Sequence, residues 1–127
     1  METGIKGKKS IVVTENLTAR VMGSGELDVF ATPAMVALME ETAWRSVSDQ
    51  LEEGQGTVGV SLDIKHLAAT PLGMTVTCES TLVEVDRRRL VFELQVSDGV
   101  DVVGTGRHER FVVDNARFQE KAEKKGR

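Results

Sequence analysis

Two residues of this 127-residue chain stand where a purely structural residue would be apolar, and both carry acid–base side chains. Glu40 falls on a helical stripe formed by Val36, Ala43, Val47 and Leu51, between the first two of these. An ionised glutamate is rarely buried without a partner, because its desolvation is expensive. Either Glu40 lies at the edge of the stripe with its head in water, or its carboxylate is aimed into a site. Its neighbour Glu41 is the contrast, one turn from Ala37 and Arg45 and suited to a surface pair with Arg45. His66 continues the parity of Val58, Val60, Leu62 and Ile64. It is either a hydrogen-bonded core histidine or, at the last inward position before the Thr70-Pro71 turn, a titratable group at a strand end where a site opens. Thr32 precedes Pro33 at a helix start. It fits the N-cap, with proline in the first helical position, and a helix N-terminus there would favour a carboxylate or a developing oxyanion. Gly59 interrupts a good strand, which suggests a close approach of backbone to another group. His108, among glycines and charges in Gly104-Thr-Gly-Arg-His108-Glu-Arg110, reads as structural or as support for other residues.

Other chemistries find no footing. The chain has two histidines, no CxxC and no HExxH, which argues against a metal site. It has no phosphate-cradling GxxxxGK[ST], no dinucleotide-type glycine pattern after a strand, and no GxSxG elbow, so no cofactor is implied. Its one cysteine, Cys78, lies in a strand pattern and reads as inert core. A formal charge of −4, with four Phe, one Trp and no Tyr, argues against nucleic acid as a partner. No stretch approaches the ~20 apolar residues that cross a bilayer. A lone cysteine behind a Lys- and Gly-rich start that does not resemble a signal peptide leads us to expect a cytoplasmic location.

The elements that must position these groups follow from periodicity. Ile11 to Val13 predicts a short strand, and Met22-Gly-Ser-Gly-Glu26 a loop. One long helix is predicted from Thr32 to Leu51, ending before Gly54. Residues 57–67 alternate as a strand, with Val58, Val60, Leu62, Ile64 and His66 on one face and Thr57, Ser61, Asp63 and Lys65 on the other. A second strand at 74–85 changes apolar parity near Ser80, which predicts a bulge there. A tight Asp86-Arg87-Arg88 connection leads to a third strand at 89–97. Asp98-Gly99 is the strongest hairpin signal, and 100–113 is the fourth long strand. A short helix begins near Asn115 and runs into a solvated tail. Residues 1–127 therefore read as one α+β domain with flexible ends at 1–8 and 119–127: a long central helix wrapped by a curved antiparallel meander. One helix covers one face of such a sheet, so its edges and opposite face invite a second subunit.

The segment Val29-Phe-Ala-Thr-Pro-Ala-Met-Val-Ala-Leu-Met-Glu40 resembles the hotdog-fold thioesterase family typified by fluoroacetyl-CoA thioesterase. So, in order along the chain, do Gly56-Thr-Val-Gly59, Lys65-His-Leu-Ala-Ala-Thr-Pro-Leu-Gly73, Asp98-Gly-Val-Asp101, Gly106-Arg-His-Glu-Arg110 and Arg117-Phe118. The resemblance implies a hotdog fold and hydrolysis of a short-chain acyl-CoA. It implies Thr32, Glu40 and His66 as the catalytic set, with Gly59 near the acyl group and Arg110 as a further substrate contact. The fluoroacetyl-specific member has a longer, phenylalanine-bearing segment before the helix where this chain has Met22-Gly-Ser-Gly-Glu-Leu-Asp28, so the resemblance extends to thioesterase chemistry and not to fluoroacetyl selectivity. Glu40 would attack or activate water, His66 would handle the proton, Thr32 would position both, and backbone N–H groups near Gly59 or the helix start would hold the oxyanion. A hotdog dehydratase and a non-catalytic acyl-CoA-binding protein are the alternatives. A homodimer or dimer of dimers with its site near the interface is expected. The CoA phosphates are expected against Arg87, Arg88, Arg89, Arg107 and Arg110.

Overall fold

The computed structural model describes residues 1–127. Its elements are β1 (Lys6–Val12), α1 (Ala19–Met22), α2 (Thr32–Val47), β2 (Gln55–His66), β3 (Thr75–Asp86), β4 (Arg89–Ser97), β5 (Val102–Asp114) and α3 (Asn115–Lys124), with single 3₁₀ turns at Glu15–Leu17 and Ser48–Gln50. The five strands form one antiparallel sheet in the order β1-β3-β4-β5-β2, and α2 packs on its inner face. The expected α+β layout of one long helix against one sheet is present, and no helix is long and apolar enough to cross a membrane.

The strands are not a simple meander. Only β3, β4 and β5 pair in sequence; β2 crosses over to pair with β5 and ends the sheet at one side, while β1 ends it at the other. β1 begins at Lys6, inside the segment expected as a lead-in. Its polar Lys-Gly-Lys-Lys-Ser run hides a strand whose stability comes from its ladder to β3. The register of β2 slips at Val60, between Gly59 and Ser61. The slip reverses the expected face at the start of the strand: Thr57 and Gly59 point inward with Leu62, Ile64 and His66, and Val60 is 55% exposed. In β3 the bulge falls at Val83, three residues after the predicted position, because Ser80 is itself inward and buried and the parity changes only beyond Leu82. The last hairpin forms as expected. The Asp98 carboxylate accepts from the backbone of Val100 and Asp101 at 2.9 and 2.8 Å, and delays the start of β5 to Val102.

The core joins α2 to the middle of the sheet. Ala34, Met35, Leu38, Met39, Ala43 and Val47 are buried against Val76, Cys78 and Leu82 of β3, Leu90, Phe92, Leu94 and Val96 of β4, and Val103 of β5. The buried stripe is rotated from the expected one: Val36 and Glu40 are half-buried at its margin. Gly104 and Gly106 lie under Met35 and Met39, and a Cβ on Gly104 would collide with the Met35 sulfur. Because those positions carry no side chain, the two methionine side chains have room between the helix and β5. Behind His66 the chain is braced where Thr70 donates to Asp98 at 2.9 Å and its carbonyl accepts from Phe30.

Candidate active site

Both α2 and β2 carry candidate side chains at two separate places. At the start of α2, Ala31 occupies the cap position without a side-chain cap bond, and Thr32 is the first helical residue. This corrects the expected N-cap role. The Thr32 hydroxyl is directed instead to His66 Nδ1 at 2.8 Å, and Pro33 follows in the second helical position, where its missing N–H still costs no helical bond. His66 stands at the end of β2 with Phe30 edge-on to its ring, centroids 6.3 Å apart. Its Nε2 is buried without a hydrogen-bond partner. Burial pushes the imidazole below its ordinary pKa, which keeps it neutral and able to take a proton. The cavity beside it, about 360 Å³, is lined by Ala19, Val29, Phe30, Thr32, His66 and Ala68 among others.

The second place lies two turns along the helix. Glu40 meets Arg110 of β5, with Oε2 accepting from Nη1 at 3.3 Å. The arginine side chain is 7% exposed and that of Glu40 43%, so one carboxylate edge is tied down while the group stays open to solvent. Arg110 also donates from Nε to Thr57 Oγ1 at 2.8 Å, from Nη2 to the Thr57 carbonyl at 2.9 Å, and from Nη1 to His108 Nε2 at 3.0 Å. A buried guanidinium needs this many acceptors to offset its desolvation. Gly59 faces the pair across β2: a Cβ there would sit 2.7 Å from Glu40 Oε2 and 3.4 Å from Arg110 Nη1. A cavity of about 200 Å³ opens between Val36, Glu40, Gly59, Val60, Leu62 and His108. Glu41 points elsewhere, accepting from Arg45 at 2.8 Å and pairing with Lys9 at 3.3 Å.

The five residues singled out in the sequence thus fall into two groups, Thr32 with His66 and Glu40 with Gly59 and Arg110. Within one chain the groups stand apart. Thr32 and Glu40 are separated by about 12 Å along the helix. Gly59 and His66 pair with Arg110 and Gly104, six steps apart on β5, or about 20 Å. The sequence reading missed Thr57, which anchors Arg110. An inward-pointing Gly59 would have revealed it, since residues two apart on a strand share a face, but the apparent alternation through Val58 and Val60 masked the bulge. Among the arginines of the 86–89 turn and β5, Arg89 is paired with Glu84 and Glu109, and Arg107 with Glu93. Arg87 and Arg88 have no carboxylate partner and border a concavity of about 460 Å³ with Phe111.

Comparison with known proteins gives one consistent result. The family described as fluoroacetyl-CoA-specific thioesterase matches residues 13–116. The fluoroacetyl-CoA thioesterase of Streptantibioticus cattleyicolor is 43% identical over 98 residues, 77% of this chain and 70% of that protein. A mutant of the fluoroacetyl-CoA enzyme, solved in complex with acetyl-CoA, superposes with a TM-score of 0.93 at 36% identity, covering 98% of both chains. A hot-dog-like protein from Thermanaerovibrio acidaminovorans superposes with a TM-score of 0.89 at 25% identity, covering 98% of this chain and 93% of that one.

Proposed function

Since the chain belongs to the fluoroacetyl-CoA-specific thioesterase family and has its hotdog fold, we propose that it hydrolyses a short-chain acyl-CoA to the free acid and CoA. The observation that carries the proposal is the hydrogen bond of Thr32 to His66 Nδ1, with Nε2 left without a partner. It fixes an uncharged imidazole by one nitrogen and leaves the other free to handle a proton. Glu40 delivers the attacking oxygen, its own or that of a water it deprotonates, while Arg110 holds its other edge. The bulge at Val60 interrupts the β2 ladder beside Gly59, and backbone N–H groups there suit the carbonyl oxyanion. Collapse breaks the C–S bond, and the proton drawn from the water, attacking either the thioester or the acylated Glu40, is relayed by His66 to the CoA thiolate, which leaves the imidazole uncharged again.

The working site is composite. Reacting groups must come within ~3–3.5 Å of the same atoms, and the two halves lie too far apart in one chain. β2 leaves one edge free at the end of the sheet. Antiparallel pairing of that edge with a second copy, about a two-fold axis near Leu62 and Asp63, brings Gly59 opposite the partner's His66. Exposed Val60 on this strand and Leu67 just beyond its end become buried in this arrangement. The site then takes Glu40, Gly59 and Arg110 from one subunit, and the partner's Thr32 and the partner's His66. The phosphates of CoA are assigned to Arg87 and Arg88, and Arg110 to the acyl end, because it is buried against Glu40. The protein acts in the cytoplasm, without nucleic acid or membrane partners. The test is thiol release from acetyl-, butyryl- and longer acyl-CoAs. Turnover greatest with the shortest chains is expected, and no release from any of them refutes the proposal.

A further inference from the structure

We infer that His108, taken with the reaction proposed above, is a positioning residue: a neutral imidazole whose bare Nε2 holds the Arg110 guanidinium in the orientation that meets Glu40. The chemistry of its two partners leaves one choice of tautomer. Nδ1 lies 2.8 Å from the Ser61 carbonyl oxygen, which can only accept, so Nδ1 carries the proton. Nε2 lies 3.0 Å from Arg110 Nη1, and a guanidinium can only donate, so Nε2 carries none. The same Nη1 reaches Glu40 Oε2 at 3.3 Å. Hydrogen bonds therefore run without a break from the Ser61 carbonyl through the imidazole and the guanidinium to the carboxylate.

The surroundings enforce this state. His108 is 1% exposed and packs against Phe92 of β4, ring centroids 6.2 Å apart. The charged groups facing it are Arg110 on its own strand and Glu40 from α2; β2 presents the Ser61 carbonyl and β4 the apolar Phe92. Burial, then the neighbouring guanidinium, hold its pKa below the ordinary histidine value, outweighing the opposite pull of Ser61 and Glu40. A second proton would break the bond to Arg110 and set two cations in contact. The bulge at Val60 contributes, since it breaks the ladder next to the residue whose carbonyl holds the ring. A leucine at 108 would satisfy Phe92 equally well but leave a buried guanidinium nitrogen with only the longer bond to Glu40.

Two measurements decide it. Imidazole ¹⁵N shifts of the wild-type protein should show His108 protonated at Nδ1 and bare at Nε2 at pH 7, with any titration displaced below the ordinary histidine range. An imidazolium, or the opposite tautomer, at pH 7 overturns the inference whether or not the protein proves to be a thioesterase. In thiol release, His108→Leu should lower kcat at least ~10-fold, and His108→Gln, which offers Arg110 an amide oxygen, should recover to within ~3-fold of wild type. Melts and a slowly exchanging Arg110 Nη–H signal, lost only in the leucine variant, separate positioning from folding. Equal rates for the two variants, both folded, overturn it, as does wild-type kcat in His108→Leu. A wild-type protein that releases no thiol sinks the thioesterase reading instead, and the ¹⁵N and Arg110 signals then decide whether His108 holds Arg110.

Discussion

Pairing Glu40→Gln with His66→Ala in one dimer tests whether the site is shared. Each homodimer lacks one essential group at both sites, and each should fall at least ~100-fold in kcat. A hybrid dimer combines them differently. If Glu40 works with the partner's His66, one of its sites carries both substitutions and the other carries none. If both groups came from one chain, each of its sites would carry one substitution and the hybrid would be as dead as its parents. The separation of about 20 Å between Gly59 and His66 along the sheet favours the first arrangement. Two differently tagged chains, co-expressed and purified through both tags, give the hybrid directly. Its turnover per dimer should be about half that of wild type, or about 50-fold above either parent. The assay is thiol release at saturating acyl-CoA, with sedimentation to confirm the dimer. A hybrid no faster than the mean of its parents refutes the composite site, and so does a fully active wild-type monomer.

Further outcomes follow from the same geometry. Glu40→Gln should lose at least ~100-fold in kcat while remaining folded, the amide oxygen still accepting from Arg110. Glu41→Gln should change kcat little, its exposed contacts to Lys9 and Arg45 being worth at most ~1 kcal/mol of stability. Gly59→Ala places a methyl 2.7 Å from Glu40 Oε2, so the carboxylate must swing off Arg110; kcat should fall ~10-fold or more while circular dichroism and melting stay near wild type, and unaltered kinetics would show that the contact does not matter. Burial depresses the pKa of His66, and burial with Arg110 that of His108, so the unfolded chain binds more protons than the folded one as pH falls through ~6.5. Their contribution to stability is complete above that value and is lost toward the lower folded pKa values. Tm measured from pH 7.5 to 5.5 should decline, less steeply in His66→Asn, and a rise on acidification contradicts this.

Much of the candidate site was legible because its residues break local rules. Glu40 at the margin of an apolar stripe, His66 at the end of an inward parity and Gly59 inside a strand each violate a local expectation, and each lies beside the cavities or the buried guanidinium. What stayed hidden obeys local rules while its meaning is non-local. A valine at the bulge looks like any strand valine, so the reversal that turns Thr57 inward left no mark. Thr32 satisfied the preferences of an N-cap so well that its bond to His66 was invisible, and the helix start was read one residue late. The pairing of β2 with β5 rather than β3 depends on a crossover that residues 67–74 do not announce. β1 is polar because an edge strand beside solvent needs few apolar residues, and only its ladder to β3 identifies it.

Gly104 and Gly106 form a bare floor beneath Met35 and Met39, and their importance reaches beyond packing. Thr32 and Glu40 ride on the same helix, so the height of that helix above the floor is a calibration shared by both. A methyl group added at Gly104 meets the fully buried Met35 sulfur first, and to the extent that Met35 has no room to yield, the helix moves and displaces both groups together, although the residue itself lines neither cavity. A search for lost activity would therefore find this silent position deep in the core, and what it reported there would be misalignment of two distant groups by one common displacement.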